Sequence, residues 1–226
     1  MKLIVLDCDG TLVDSQNGIC EAMAYAFSGF GLTAPPREAI LSIVGLSLPE
    51  AVLALAPEVD DELRAKMVAR YKSAFTEIRR EPDLHEPLFD GIAAAIEAFG
   101  RRDDVMLGIA TGKSRKGVER LFAREGWGQR FVTVQTSDDH PSKPHPSMLQ
   151  TAMAETGVGP GKTVMVGDTT FDMQMALAAG TGAMGVGWGY HTVEELQRAG
   201  AHSVIKTSHD LADEIDAFFA RREKAA

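Results

Sequence analysis

Cysteine is scarce in this sequence: Cys8 and Cys20 are the only two among its 226 residues. Two cysteines cannot build the disulfide framework of a small secreted protein, and this pair has no metal-binding spacing. The chain also lacks an apolar run of membrane-spanning length, and its first apolar run ends at Asp7, too early for a signal peptide. We therefore expect a cytoplasmic protein that makes no use of a membrane.

Positive charge is also in short supply. The chain has 23 lysines and arginines against 32 acidic residues, which gives a formal net charge of −9. Because nucleic-acid binding requires a broad positive surface, we expect no nucleic-acid partner. Several of the basic residues lie near the motifs described below, namely Lys113, Arg115, Lys116 and Lys143.

The order of the remaining patterns predicts an α/β fold, a parallel sheet core with helices on both faces. Residues 3–6 and 163–166 are apolar at consecutive positions, as in parallel strands that helices cover on both sides. Further strands are predicted at 105–110, 131–135, 183–187 and 202–205. Helices are predicted at 115–124, 147–156 and 170–179, after Asp90, and from about Ser208 onward.

Residues 16–82 carry no strand pattern and are predicted to form an all-helical domain inserted into this core. The core would then consist of residues 1–15 and 83–226. Within the insertion, apolar residues recur at helical spacing from Ile19 through Phe30 and stop at Gly31. A second helical pattern includes Tyr71 and Phe75.

Two aspartates, Asp7 and Asp9, directly follow the first predicted strand and precede Gly10 and Thr11. Residues two apart in an extended chain project to the same side, so the two carboxylates should face one small volume. Like charges at that separation repel unless a divalent cation neutralises them, and the pattern therefore favours a Mg²⁺ site. The alternative is an ordinary acidic turn at a strand end.

Three further polar motifs follow along the chain. In chain order, the first contains Thr111 and Gly112, the second contains Lys143, and the third contains Asp168 and Asp172. Ligands of open parallel sheets bind beyond the carboxyl ends of the strands, which makes these residues candidates for one shared site. Each motif alone has a structural alternative: a helix-entry residue, a solvated lysine, or an acidic first helical turn.

In their order and residue types, these four motifs resemble those of the haloacid dehalogenase (HAD) superfamily, and the resemblance covers nearly the whole chain. The sequence is most similar to the phosphoglycolate phosphatase-like members, which have a cap of the type called C1. The resemblance implies a Rossmann-like core and identifies the inserted helical segment as that mobile cap.

The resemblance also implies a role for each motif residue. Asp7 would be the nucleophile that forms an aspartyl-phosphate, and Asp9 the general acid and base. Lys143 would pair with Asp7 and with the transferring phosphoryl group. The residues expected to hold Mg²⁺ are Asp7, Asp9 through its backbone carbonyl, Asp168 and Asp172. The residues expected to hold phosphate oxygens are Gly10, Thr111, Gly112 and Lys143.

The loop at residues 44–47 resembles the cap loop that touches the leaving group in related phosphatases. A structural explanation is equally open, since Ser47 and Glu50 fit a helix capping box and Gly45 could end a helix. We expect His140 and His145 to be surface or hydrogen-bonding residues outside the catalytic set. Trp188 and Tyr190 are expected to be packing residues.

The sequence therefore predicts a Mg²⁺-dependent phosphatase, monomeric or homodimeric, that acts on a small phosphorylated metabolite. Dehalogenase activity is disfavoured, because the dehalogenases of the superfamily lack the second acid that Asp9 supplies here. The alternatives are a β-phosphoglucomutase-like phosphotransferase and a non-catalytic phosphate-binding protein. The sequence does not identify the metabolite.

Overall fold

A six-stranded parallel sheet forms the centre of the protein, whose computed structural model describes residues 1–78 and 86–225. In chain order, the described strands are β1 (Lys2–Leu6), β2 (Val105–Thr111), β3 (Phe131–Thr136), β4 (Thr163–Gly167), β5 (Gly182–Val186) and β6 (Ser203–Ile205). Their order in the sheet is β3-β2-β1-β4-β5-β6, and all neighbouring strands are parallel. This confirms the predicted α/β fold class.

β1 lies in the middle of the sheet, between β2 and β4. Its last residue, Leu6, is level with Ile109 and Val166 on the two neighbouring strands. All three strands therefore end at the same edge. The chain crosses to opposite sides of β1 to form β2 and β4, and such a reversal opens a crevice at the carboxyl ends of the strands.

Helices cover both faces of the sheet, and alternate residues of β1 point to opposite sides. Ile4 and Leu6 join one apolar cluster, and Leu3 and Val5 join another. The helices outside the insertion are α5 (Ile92–Gly100), α6 (Arg115–Glu125), α7 (Ser147–Thr156), α8 (Thr170–Ala178), α9 (Val193–Arg198) and α10 (Leu211–Ala225). The predicted boundaries of α6, α7 and α8 agree to within one residue. The six-residue α9 was not predicted.

The insertion contains α1 (Gln16–Ser28), α2 (Arg37–Leu41), α3 (Leu48–Leu55) and α4 (Asp61–Ile78), which pack around an apolar cluster of their own. The regular hydrogen bonding of α1 ends at Ser28, and the chain turns away at Gly31, as predicted. Gly31 has a φ of +71°, and the Leu32 N–H donates to the Phe27 carbonyl at 3.2 Å, which closes the end of the helix. Phe30, in this last turn, is 37% exposed. The predicted domain boundary between residues 82 and 83 lies outside the described residues.

The chain leaves the core for the insertion and returns to it at nearly one place. Val13 and Leu88 form an antiparallel bridge, and the Asp14 N–H donates to the Pro87 carbonyl at 2.8 Å. Among the described residues, no helix combines the length and apolar character needed to cross a bilayer.

Candidate active site

Asp7 follows β1 directly and is almost fully buried. Its N–H donates to the Val166 carbonyl of β4 at 3.0 Å, which ties this residue to the end of the sheet. Its Oδ1 accepts a hydrogen bond from the Cys8 N–H at 2.7 Å. Its Oδ2 has no hydrogen bond among the described residues and makes an ionic contact of 3.0 Å with Lys143 Nζ. The carboxylate is thus held in one orientation while one oxygen keeps acceptor capacity.

Asp9 lines the same cavity as Asp7 but has different close partners. Its Oδ1 accepts from Ser15 Oγ at 2.7 Å and from Lys113 Nζ at 2.6 Å. Lys113 Nζ also lies 2.8 Å from Glu86 Oε1, so this lysine links two carboxylates. The charge of Asp9 raises the pKa of Asp7, as the predicted repulsion requires, but it contributes less than burial and the charge of Asp172.

The dominant acidic cluster instead joins Asp7 to Asp168 and Asp172, beside the end of β4. Asp168 accepts from Thr11 Oγ1 at 2.9 Å and from the Tyr190 N–H at 3.0 Å. Asp172 closes a capping box with Thr169 at the start of α8. Both carboxylates are fully buried. Hydrogen bonds from the protein replace those that water would make to them at the surface.

Gly10 makes room for this cluster. A β-carbon at Gly10 would lie 2.1 Å from Asp168 Oδ2, and its φ of +81° also favours glycine. The Gly10 backbone therefore passes directly over the Asp168 carboxylate, which no larger residue could do.

Lys143 supplies the positive charge within the acidic cluster. Its Nζ lies 2.6 Å from Asp172 Oδ1, and its side chain has no exposed surface. Burial alone would lower the pKa of Lys143, but the charges of Asp172 and Asp7 raise that pKa above its ordinary value. The side chain therefore stays protonated and offsets one of the three buried acids.

The three carboxylates fit a divalent cation. One oxygen of each of Asp7, Asp168 and Asp172 lies within 4.8 Å of the others. Burial raises the pKa of Asp7 from 3.8 to about 6 in spite of Lys143, and burial with the charges of Asp172 and Asp7 raises that of Asp168 well above 3.8. Three hard oxygen donors, whose negative charge Lys143 offsets only in part, match what Mg²⁺ prefers. The predicted use of the Asp9 carbonyl stays a prediction.

The ends of β2 and β3 close the other side of the site. Thr111 is buried beside Asp7, and its Oγ1 accepts from the Lys113 N–H at 3.2 Å. Gly112 follows, and a β-carbon there would lie 2.8 Å from the carbonyl oxygens of Gly45 and Leu46. The loop at residues 44–47 therefore rests directly on this part of the core.

The predicted capping box of Ser47 with Glu50 is wrong. The Ser47 side chain makes no hydrogen bond to the start of α3, and its N–H donates to Ser142 Oγ of the core at 2.8 Å. Gly45, with a φ of +100°, lies against Thr169. The loop residues line the cavity beside the two aspartates, so this segment is placed to contact a ligand.

Sequence reasoning missed several neighbours of Asp9. Ser15 and Glu86 belong to no recognisable sequence motif. Lys113 was identified only as a basic residue near the motifs. Tyr190, expected to be a packing residue, places its hydroxyl 3.2 Å from Ser15 Oγ. Trp188 likewise donates to the Thr11 carbonyl at 3.1 Å.

Two of the remaining residues singled out in the sequence, His140 and Lys116, line the same cavity as Asp7 and Asp9. Both ring nitrogens of His140 are within hydrogen-bonding distance of partners, Gln135 Oε1 and Ser147 Oγ, each at 2.8 Å. Arg115 is partly exposed and pairs with Asp139 at 2.8 Å. Their contacts are structural, as expected for the histidine.

Comparisons with a family model and with sequence relatives agree on one family for this chain. The model of haloacid dehalogenase-like hydrolases matches residues 4–186. A Dickeya dadantii (strain 3937) protein named "Probable phosphatase IndB" is 35% identical over 214 residues, which cover 92% of this chain and 91% of that protein. A phosphoglycolate phosphatase of Shigella boydii serotype 4 is 27% identical over 230 residues, covering 92% and 90% of the two chains.

Among solved structures, a β-phosphoglucomutase from Clostridium difficile has a TM-score of 0.83 at 15% identity and covers 100% of both chains. At that identity the likeness shows the fold alone. The family model and the sequence relatives confirm the family that the motifs predicted, and with it an enzyme of the phosphatase type. The chain belongs to the haloacid dehalogenase-like hydrolase family.

Proposed function

We propose that the protein is a Mg²⁺-dependent phosphatase that transfers the phosphoryl group of a small phosphorylated metabolite to Asp7 and then to water. The observation that carries this proposal is the convergence of Asp7, Lys143 and two further buried carboxylates at one edge of the sheet. Displacement at phosphorus depends mainly on a positioned nucleophile and on neutralised charge, and this edge supplies both.

Asp7 is the nucleophile in this proposal. Its carboxylate attacks phosphorus, the ester bond to the leaving alcohol breaks, and an aspartyl-phosphate forms. Water then attacks that phosphorus and releases inorganic phosphate, which restores the carboxylate. The contacts with Cys8 and Lys143 support the role because they fix the orientation of the carboxylate before reaction.

Asp9 is the general acid and base. It gives a proton to the departing oxygen in the first step and takes one from water in the second. Ser15 and Lys113 hold its carboxylate facing the cavity, where a leaving group would lie.

Asp7, Asp168 and Asp172 would hold the cation, together with the Asp9 carbonyl. When bound, Mg²⁺ supplies positive charge to the phosphoryl oxygens. Thr111, Lys143 and the amide of Gly112 would bind the same oxygens from the protein side, as backbone N–H groups at strand ends commonly do. The predicted role of the Gly10 amide is dropped, because its N–H donates to the Val13 carbonyl at 2.9 Å.

The test is a phosphate-release assay on p-nitrophenyl phosphate and a panel of phosphorylated metabolites that includes 2-phosphoglycolate. Asp7→Asn should abolish turnover without unfolding the protein, whereas Asp103→Asn, on the exposed surface, should retain it. EDTA should stop the reaction and Mg²⁺ should restore it. Substantial activity in Asp7→Asn would remove Asp7 as nucleophile, and isomerisation of a sugar phosphate without phosphate release would identify a mutase.

A further inference from the structure

A cavity of about 820 Å³ separates the inserted helices from the end of the sheet, and Asp7 and Asp9 both line it. Cavities of this size accommodate ligands as large as a typical drug molecule. A phosphate ester with only two or three carbons would occupy a small part of it and leave its walls in contact with water. The volume thus indicates a larger leaving group.

Two aromatic residues line the cavity one helical turn apart on α4. The rings of Tyr71 and Phe75 are stacked, with centroids 5.4 Å apart and planes inclined by 13°. Lys113 Nζ lies 5.8 Å from the centroid of Phe75 and 2.6 Å from Asp9 Oδ1. The stacked pair is therefore close to the carboxylate that would protonate the leaving alcohol.

The insertion's side of the wall is largely apolar, whereas the core's side carries polar and charged residues such as Ser114, Lys116 and His140. Ile19 and Met23 of α1 are buried and line the cavity, as do Leu46 and Leu48 of the insertion. Against the insertion's side of the wall, the hydroxyls of a leaving group would find few hydrogen bonds, and leaving them unpaired there would cost binding free energy. A flat apolar ring would instead gain both burial and stacking.

We propose that the leaving alcohol carries a planar aromatic or heteroaromatic ring that stacks on the side chains of Phe75 and Tyr71. The inference rests on the proposed function, because it takes the space beside Asp9 as the leaving-group site. It narrows the substrate class from any small phosphomonoester to one whose ring is a few bonds from the ester oxygen.

The test compares two stable ligands that differ only in the ring, benzylphosphonate and cyclohexylmethylphosphonate, by calorimetry with the Mg²⁺-loaded protein. Burial of apolar area alone favours the bulkier saturated ring, whereas stacking favours the aromatic one. We expect benzylphosphonate to bind about three- to ten-fold more tightly. Equal affinities, or tighter binding of the saturated ligand, would overturn the proposal.

Phe75→Leu should reduce that ratio to about one. Tyr71→Leu should also reduce the ratio to about one, and it serves as the test if Phe75→Leu does not fold. Phe30→Leu makes the same change at an exposed position of the insertion that does not line the cavity, and it should keep the ratio of the wild type. A ratio unchanged in both α4 variants would contradict the proposed stacking.

Hydrolysis of benzyl phosphate, cyclohexylmethyl phosphate and 2-phosphoglycolate separates this inference from the proposed function. If no ester is hydrolysed but the binding preference exists and depends on Phe75, the phosphatase proposal fails and the aromatic site stands. If all are hydrolysed and 2-phosphoglycolate is the best substrate, the phosphatase proposal stands and the aromatic preference is overturned.

Discussion

Gly112 of the core lies so close to Gly45 of the insertion that a β-carbon on Gly112 would stand 2.8 Å from the Gly45 carbonyl oxygen. The contact joins two backbones, so no side-chain rotation can relieve a larger residue there. The loop at residues 44–47 can rest on the core only while position 112 is glycine.

Gly112→Ala should therefore push that loop away from the site. Overpacking of this kind costs about 1–3 kcal/mol, which corresponds to a loss of roughly five- to 150-fold in kcat/KM if the loop must rest on the core for turnover. Steady-state kinetics on p-nitrophenyl phosphate measures it. Gly128→Ala is the control, since a β-carbon there meets nothing within 4 Å. Equal kinetics for the two variants would contradict a functional contact.

Lys113→Met should destabilise the protein. The change would leave the carboxylates of Asp9 and Glu86, which are 14% and 12% exposed, without their shared ammonium group. Removing one partner from a buried ion pair typically costs about 3–5 kcal/mol, and urea denaturation should detect that loss. Glu86→Gln in the Lys113→Met background should recover part of it. The exposed Lys116→Met should change stability little, and a comparable loss there would contradict this account.

The stabilisation by Mg²⁺ should increase with pH. In the metal-free protein the pKa of Asp7 is raised from 3.8 to about 6, so folding takes up a proton and stability falls as pH rises through that range. The raised pKa of Asp168 acts in the same direction. A cation competes with these protons, and the rise in Tm caused by Mg²⁺ should be larger at about pH 7.5 than at about pH 5.5. If the rise in Tm caused by Mg²⁺ did not depend on pH, these residues would not be the ligands. The same would follow if Asp168→Asn showed the same rise in Tm as the wild type.

Cys20 should react with thiol reagents while Cys8 should not. Burial, with the charges of Asp7 and Asp9, raises the pKa of the Cys8 thiol far above its ordinary value, and the residue is fully buried. Cys20 is only partly buried. Since the thiolate is the reactive form, native protein at about pH 8 should show one accessible thiol, and denatured protein two. Cys20→Ser should show none until it unfolds. Fast labelling of Cys8 would contradict the buried position of the Asp7 segment.

Much of the fold was predictable because buried parallel strands need consecutive apolar residues, and the stretches around Leu6, Ile109 and Val166 have them. The convergence of Asp7, Thr111 and Asp168 also followed from their positions, since each is attached to the end of a strand in one sheet. These properties are local in sequence. They can be inferred before any tertiary contact is known.

The surroundings of Asp9 could not be predicted in the same way. Ser15 and Tyr190 are 175 positions apart, and their contact depends on how the loop after β5 packs against the start of the insertion. The same holds for Glu86, which reaches Lys113 across the entry to the helical segment. The short α9 was missed because its six residues are too few to establish a periodicity.

Because Val13 and Leu88 form a bridge, the helical insertion leaves the α/β core and returns to it at the same place. Since the two ends of the insertion are adjacent, a helical segment of another size could be inserted there without moving Asp7, Lys143 or Asp168. The core residues that carry the reaction and the inserted residues that select the substrate could then change independently. A graft spliced at these two positions would need to keep Ser15 and Glu86, which contact Asp9 and Lys113, in order to bring new substrates to an unchanged site.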